Sequence, residues 1–189
     1  MKAVIVLGSR NPKGQTARAA DALAQGIRDA RGEVEEVFLP PLRIERCRQC
    51  NDDGWGICRT QGSCVIEDDF AGIVAKIAGA DAAVFATPVY FSDLSESLRA
   101  FLDRLRRTCM HEAGKAKVRG RPAVGICVAG GGGGGAPHCT ESLTRVLGTC
   151  GFDCLDMIPV RRQNLEMKLA MLRAAGQWLA NSAAPRPGS

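Results

Sequence analysis

The chain opens on an unbroken apolar run, Ala3 to Leu7 within KAVIVLG, of the kind a parallel strand buried on both faces requires. The following stretch, QTARAADALAQGIRDARG at 15–32, places apolar residues three and four apart and reaches a glycine at its end, which predicts a helix. The pair then repeats. EVEEVFL (33–39) reads as a strand with one exposed face, DDFAGIVAKIAGA (68–80) as a helix, and DAAVFATPVY (81–90) as a buried strand. SDLSESLRAFLDRLRR (92–107) and CTESLTRVLGTCGF (139–152) read as helices around the strand RPAVGICVAG (121–130). DCLDMIPV (153–160) and NLEMKLAMLRAAGQWLA (164–180) complete the series as strand and helix. Such alternation predicts an α/β three-layer sandwich, a five-stranded parallel sheet with helices on both faces. The strand order 2-1-3-4-5 suits five short units that leave no length for a second nucleotide-binding half. Residues 1–182 are expected to form one domain, and 183–189 a disordered tail.

Composition narrows the class of protein without changing this picture. At 189 residues, 46% hydrophobic and 24% charged, the chain can bury an ordinary globular core. The net charge of +5 suits anionic small molecules, and no Lys/Arg block marks a nucleic-acid footprint. The amino-terminal apolar run is too short for a signal segment or a membrane span, and Lys76 and Asp81 interrupt the longest apolar stretch, so a cytoplasmic protein without membrane association is expected. A reducing compartment and an odd total of nine cysteines argue against a disulfide framework.

In open parallel sheets ligands bind past the carboxyl ends of the strands, and three loops there are unusual. GSRNPKGQT (8–16) precedes a helix amino terminus. Its backbone amides, the Ser9 and Thr16 hydroxyls and the Asn11 and Gln15 amides suit a phosphate, which the helix dipole also favours. It is neither a Walker loop, because Gln15 follows Gly14, nor a GxGxxG turn. TPVYFSDLSESL (87–98) carries the single tyrosine, beside Phe91, and either walls a flat ring or packs in the core. VAGGGGGGAPHC (128–139) removes side chains and supplies free amides where a backbone must approach a ligand.

GSRNPKGQT resembles the GSxRxxGxT flavin-phosphate loop of the NADPH-dependent FMN reductases and iron–sulfur flavoproteins, and ATPVYFSDLSESLRAFLDRL resembles their second signature. The resemblance covers residues 3 to about 152 and implies a flavodoxin-like fold, noncovalent FMN, NAD(P)H as co-substrate, and a homodimer or homotetramer. By position it implies that Ser9, Arg10, Asn11, Gln15 and Thr16 hold the 5′-phosphate. Pro88, Val89, Tyr90, Phe91 and Ser92 would lie against the ring and ribityl chain, and Gly130, Gly131, Gly132, Gly133 and Gly134 would close the other side. The implied activity is an FMN-dependent NAD(P)H oxidoreductase that reduces a small acceptor such as a quinone or flavin. The alternative is a flavodoxin-like module relaying electrons between proteins. His111 and His138 read as surface or capping residues, so no protein acid or base is assigned.

CRQCNDDGWGICRTQGSC (47–64), inside an insertion spanning 41–66, concentrates four cysteines and ends near an acidic pair. It resembles the compact cysteine motif of iron–sulfur flavoproteins. Cys47 and Cys50 keep the CxxC, but seven residues separate Cys50 from Cys58 and five separate Cys58 from Cys64. The resemblance implies a [4Fe–4S] cluster on Cys47, Cys50, Cys58 and Cys64. Cluster-free thiols and a zinc site, which lacks its usual second tight pair, stay open beside it. Cys127 reads as a core residue, and Cys109, Cys139, Cys150 and Cys154 have no ligand spacing.

Overall fold

In the computed structural model, which describes residues 1–182, the apolar run at the amino terminus becomes β1 (Lys2–Leu7), an interior strand buried almost throughout. The predicted tail at 183–189 lies outside the described residues. β1 pairs in parallel with β2 (Glu33–Phe38) on one side and β3 (Ala82–Pro88) on the other. β4 (Pro122–Ala129) follows β3, and β5 (Asp153–Arg161) closes the sheet, giving the order β2-β1-β3-β4-β5 that the sequence predicts. The interior strands read as continuous apolar runs because both of their faces are covered, whereas edge strand β2 keeps exposed glutamates.

Alternate residues of each strand serve opposite layers. Ala3, Ile5 and Leu7 of β1 join Val84 and Ala86 of β3 under α1 (Gln15–Asp29) and α7 (Leu165–Ser182). Val4, Val6 and Phe85 face α3 (Phe70–Ala78), α4 (Glu96–Cys109) and α6 (Ala136–Cys150). α1 and α7 meet closely where each presents a glycine: a Cβ on Gly26 would lie 1.9 Å from the Arg173 carbonyl oxygen, and one on Gly176 would lie 2.1 Å from that of Leu23. No described helix is long and apolar enough to cross a membrane.

Several boundaries differ from the sequence reading, each for a local reason. α4 begins at Glu96 rather than 92 because residues 90–93 form a tight turn and Ser95 caps the helix, its Oγ accepting from the Leu98 N–H at 3.4 Å. α6 begins three residues early, with Pro137 in its first turn. Two four-residue helices, α2 (Cys58–Gln61) and α5 (Glu112–Lys115), are too short to leave a periodic signature. A single 3-10 turn at Arg162–Asn164 leads into α7.

Candidate functional site

The loop 8–14 joins β1 to α1 and folds on its own polar groups. The Asn11 N–H donates to Ser9 Oγ at 3.3 Å, and the Lys13 N–H donates to Asn11 Oδ1 at 3.0 Å. The Asn11 oxygen is therefore committed to the turn. Gly14 is the N-cap of α1; it supplies no side-chain cap, and the first turn carries no acidic residue. The first amides of α1 thus stay available, and the helix dipole makes them a site for an anion. Beside them Ser9 and Thr16 are buried hydroxyls, and Gln15 Oε1 is buried without a donor. Arg10 is exposed at the rim.

The loop after β3 is tied to this cradle. The Gly8 N–H donates to the Ala86 carbonyl at 2.9 Å, and Ser97 Oγ donates to the Gly8 carbonyl at 3.1 Å. A Cβ at Gly8 would stand 2.6 Å from Ser95 Oγ, so only glycine lets the two loops approach this far. Gly8, Arg10, Pro40, Tyr90 and Ser97 line a shared cleft. Tyr90 and Asp93 exchange two backbone hydrogen bonds across a two-residue turn, in which Phe91 (φ 48°) and Ser92 (φ 66°) are both left-handed. Such turns ordinarily take Asn-Gly or Gly-Gly, so this one is strained. It holds because Asp93 pairs with Arg99, accepts from the Leu94 N–H at 2.8 Å and accepts from Ser142 Oγ at 3.3 Å. The core-packing alternative for the aromatic pair does not hold: Tyr90 is 44% exposed and Phe91 106%.

The glycine loop closes the third side. A Cβ at Gly135 would lie 2.8 Å from Ser92 Oγ, which places this loop against the Phe91 turn. Gly130, Gly131, Gly132 and Gly134 face open space, whereas Gly133 (φ 85°) packs on the Arg161 side chain. Pro88 and Val89 are half-buried, and the Val89 N–H donates to the Val128 carbonyl at 2.9 Å, joining the ends of β3 and β4.

All four cysteines of the 41–66 insertion line one chamber with Arg48, Arg104 and Arg107. Its enclosed volume is about 20 Å³, the room of one water molecule. Left-handed Gln49 and Asn51 flank Cys50, and a Cβ on Gly56 would come within 3.1 Å of the Cys50 Cβ. Among the described residues no three His, Cys, Asp or Glu side chains converge on a point where one ion could sit. Arg104 fixes both ends of the segment from inside α4. Its Nη1 donates to Asp68 Oδ2 at 2.5 Å and to the Glu45 carbonyl at 3.2 Å, its Nη2 donates to the Ile66 carbonyl at 3.3 Å, and its guanidinium stacks 4.3 Å from the Phe70 ring centroid. Both side chains of this ion pair are wholly buried. Burial alone would raise the Asp68 carboxyl, but hydrogen bonds from Arg104 and the Glu45 and Phe70 amides hold it below the usual range. Arg107 donates through Nη2 to the Gly54 carbonyl and stacks 4.0 Å from the Trp55 ring centroid. The Nε atoms of Arg104 and Arg107 are buried and have no acceptor.

The family model for NADPH-dependent FMN reductase matches residues 1–171. The chain belongs to that family. Among FMN reductase relatives, an iron-sulfur flavoprotein of Archaeoglobus fulgidus is 31% identical over 105 residues, 56% of this chain and 46% of its own length. An iron-sulfur flavoprotein of Methanocaldococcus jannaschii is 31% identical over 131 residues, 69% of this chain and 65% of its own. The chain thus spans about half to two-thirds of the length of these curated relatives. The fold is shared with the NAD(P)H:quinone oxidoreductase from Methanothermobacter marburgensis (TM-score 0.70, 23% identity, covering 95% and 96% of the two chains). It is also that of a WrbA-like flavodoxin from Agrobacterium tumefaciens (TM-score 0.61, 21% identity, 96% of each chain).

Set in this FMN reductase fold, the residues that sequence reasoning did not single out are Gly8, Ser95 and Ser97, which bind the first two loops together, and the arginines of the cysteine chamber. Arg104 had a visible signal: it falls within the apolar stripe Leu98, Phe101, Leu102 and Leu105, where a charge requires a buried partner. His138 is exposed as expected. His111 stands at the N-cap of α5 without capping it; its ring packs edge-on to Trp55 at 4.9 Å. All nine cysteines are free thiols. Cys127 is raised above the ordinary thiol range by its hydrogen bond with Cys139 and by burial, and burial raises Cys109 and Cys150, so these remain protonated core residues.

Proposed function

We propose that this protein is an FMN-dependent oxidoreductase that takes hydride from NAD(P)H and passes electrons to a small acceptor such as a quinone or flavin. One observation carries the flavin reading: the uncapped start of α1, with buried Ser9 and Thr16, follows a β1 end that is hydrogen-bonded to Ser97 and shares a cleft with Tyr90, whose strained turn abuts a glycine loop largely open to space.

The residues fit the cofactor. The α1 amides and the Thr16 hydroxyl donate to a phosphate dianion, Ser9 joins them by turning its hydroxyl from the Asn11 carbonyl at 3.3 Å, and Arg10 adds charge at the rim. The buried Gln15 oxygen lacks a donor, which a polyol hydroxyl supplies. Tyr90 and Phe91 offer apolar walls to a flat ring, and the open glycines allow main chain to approach it with N–H donors. FMN, when bound, supplies the hydride chemistry and the onward transfer of electrons. The chain's own task is to orient the ring, hold its phosphate and leave one face open to nicotinamide.

The four cysteines supply the donor type of a cluster but not its room. The chamber has room for about 20 Å³, and among the described residues no three ligating side chains converge there, so the cysteines as placed do not fit a cubane.

Anaerobic stopped-flow mixing of FMN-loaded protein with NADPH or NADH tests the reading. Bleaching of the flavin band within seconds, followed by steady turnover with a quinone, is expected. Flavin that stays oxidised for minutes with both nucleotides would replace the enzyme with an electron-relay module.

A further inference from the structure

The cysteine chamber does not fit an iron–sulfur cubane, but its one-water volume matches a single oxygen atom. Two donors in its wall lack an acceptor. The Arg104 side chain is wholly buried, and its Nε–H is unpartnered while its Nη atoms are fixed on Asp68 and on the Glu45 and Ile66 carbonyls. The Arg107 Nε–H is buried and unpartnered as well, with its guanidinium pinned by the Gly54 carbonyl and the Trp55 ring. Buried donors are nearly always satisfied, so an orphaned pair on one small cavity marks the place of an acceptor. Of the four thiols, Cys64 stands beside Arg104: burial alone would lower that guanidinium, but the neighbouring Asp68 carboxylate and Cys64 sulfur hold it above its ordinary value. Half-buried thiols among the guanidinium groups of Arg48, Arg104 and Arg107 have the electropositive, partly open setting in which cysteines react.

We propose that Cys64 is a site of reversible oxidation by a peroxide, and that the single oxygen it gains as a sulfenic acid lodges in this chamber as the acceptor for the Arg104 and Arg107 Nε–H groups. The Cys64 sulfur attacks one peroxide oxygen, and an S–O bond forms as the O–O bond breaks. Sulfur is oxidised by two electrons, and the departing oxygen is reduced and leaves as water with the thiol's proton. The chamber holds one oxygen and not two, so the product stops at the sulfenic acid rather than passing to the sulfinic. Cys109, Cys127 and Cys150, buried in the core with raised thiols, stay unreactive and serve as internal references. The chamber shares no lining residue with the cleft between the phosphate loop and the aromatic turn, so the oxidation needs no flavin.

The full chain, reduced and then freed of reductant, is treated with hydrogen peroxide, and dimedone, which traps sulfenic acids, is added at once or after a delay. Mass spectrometry of the cysteine peptides reads the products. Wild type should carry the dimedone adduct on Cys64, show a single added oxygen there without the reagent, and regain the thiol with dithiothreitol. Cys64→Ser should lose the adduct, and the core thiols should stay unlabelled in both proteins. Arg104 variants break the buried pair with Asp68, so the donor role is tested with Arg107→Gln, in which the trappable sulfenic acid should survive about tenfold less long for one lost hydrogen bond. An adduct on another chamber cysteine in place of Cys64, no adduct at all, a Cys64 disulfide without a trapped sulfenic acid, direct passage to the sulfinic acid, or thiols blocked by bound iron and sulfide would each overturn the assignment of Cys64. Equal survival in wild type and Arg107→Gln would overturn the arginine contact.

Discussion

Phe91 and Ser92 hold the two central positions of a turn whose left-handed backbone favours asparagine and glycine, and Phe91 projects wholly into solvent. Each left-handed L-residue costs on the order of 1–2 kcal/mol, so the pair is a reserve of strain at the mouth of the proposed flavin site. The double substitution Phe91→Asn, Ser92→Gly should raise stability by about 2 kcal/mol, or ~4–8 °C in Tm for a chain of this length. The same variant should bind FMN more weakly and show a raised KM for aromatic acceptors, because a ring that walls the flavin site at its mouth has been removed. Calorimetry and steady-state kinetics check the two halves, and an unchanged Tm would contradict the strain. The sequence made Tyr90 and Phe91 conspicuous but left their burial open, since an aromatic pair following an apolar strand suits a core as well as a pocket wall. Their exposure follows from the turn, and the turn uses residues that do not ordinarily build one.

The cysteine-bearing insertion has little regular structure of its own, only the four residues of α2, so α4 gives it shape through Arg104. Removing one partner of a buried ion pair typically costs about 3–5 kcal/mol, and Asp68→Asn should destabilise the protein at neutral pH by an amount near the lower end of that range. The Asp68 carboxyl is held below its ordinary value of 3.8 in the folded protein, so its stabilisation is complete above that pH and is lost as pH falls through the lowered native value. Wild type should therefore lose stability on acidification from pH ~4 downward, and Asp68→Asn should lose less over the same interval. Urea midpoints at pH 7 and pH 3 measure this. Equal losses in the two proteins would show that the pair does not hold the insertion. Here the sequence displayed the cysteines but not their support. The spacing of Cys47, Cys50, Cys58 and Cys64 is local, whereas the Arg104–Asp68 contact joins residues 36 positions apart.

For the whole molecule, strand order and layering were readable because interior parallel strands must be apolar on both faces, a constraint that β1, β3 and β4 show plainly. Element ends were less readable: the start of α4 depends on the Ser95 cap and that of α6 on Pro137, local chemistry that periodicity does not register. The phosphate loop was legible as a loop rich in donors. Its closure against Ser95 and Ser97 was not, because that contact exists only once β1 and β3 lie side by side. The central claim is that the uncapped α1 terminus with Ser9 and Thr16 holds the phosphate of FMN, and titration of the apoprotein with FMN and riboflavin, for wild type and Thr16→Ala, tests it most directly. Wild type should prefer FMN. Thr16→Ala removes one hydrogen bond to a charged group, worth about 1.5–3 kcal/mol, and should weaken FMN roughly 10- to 150-fold while leaving riboflavin nearly unchanged. Riboflavin binding as tightly as FMN, or an equal loss for both ligands in Thr16→Ala, would contradict the account.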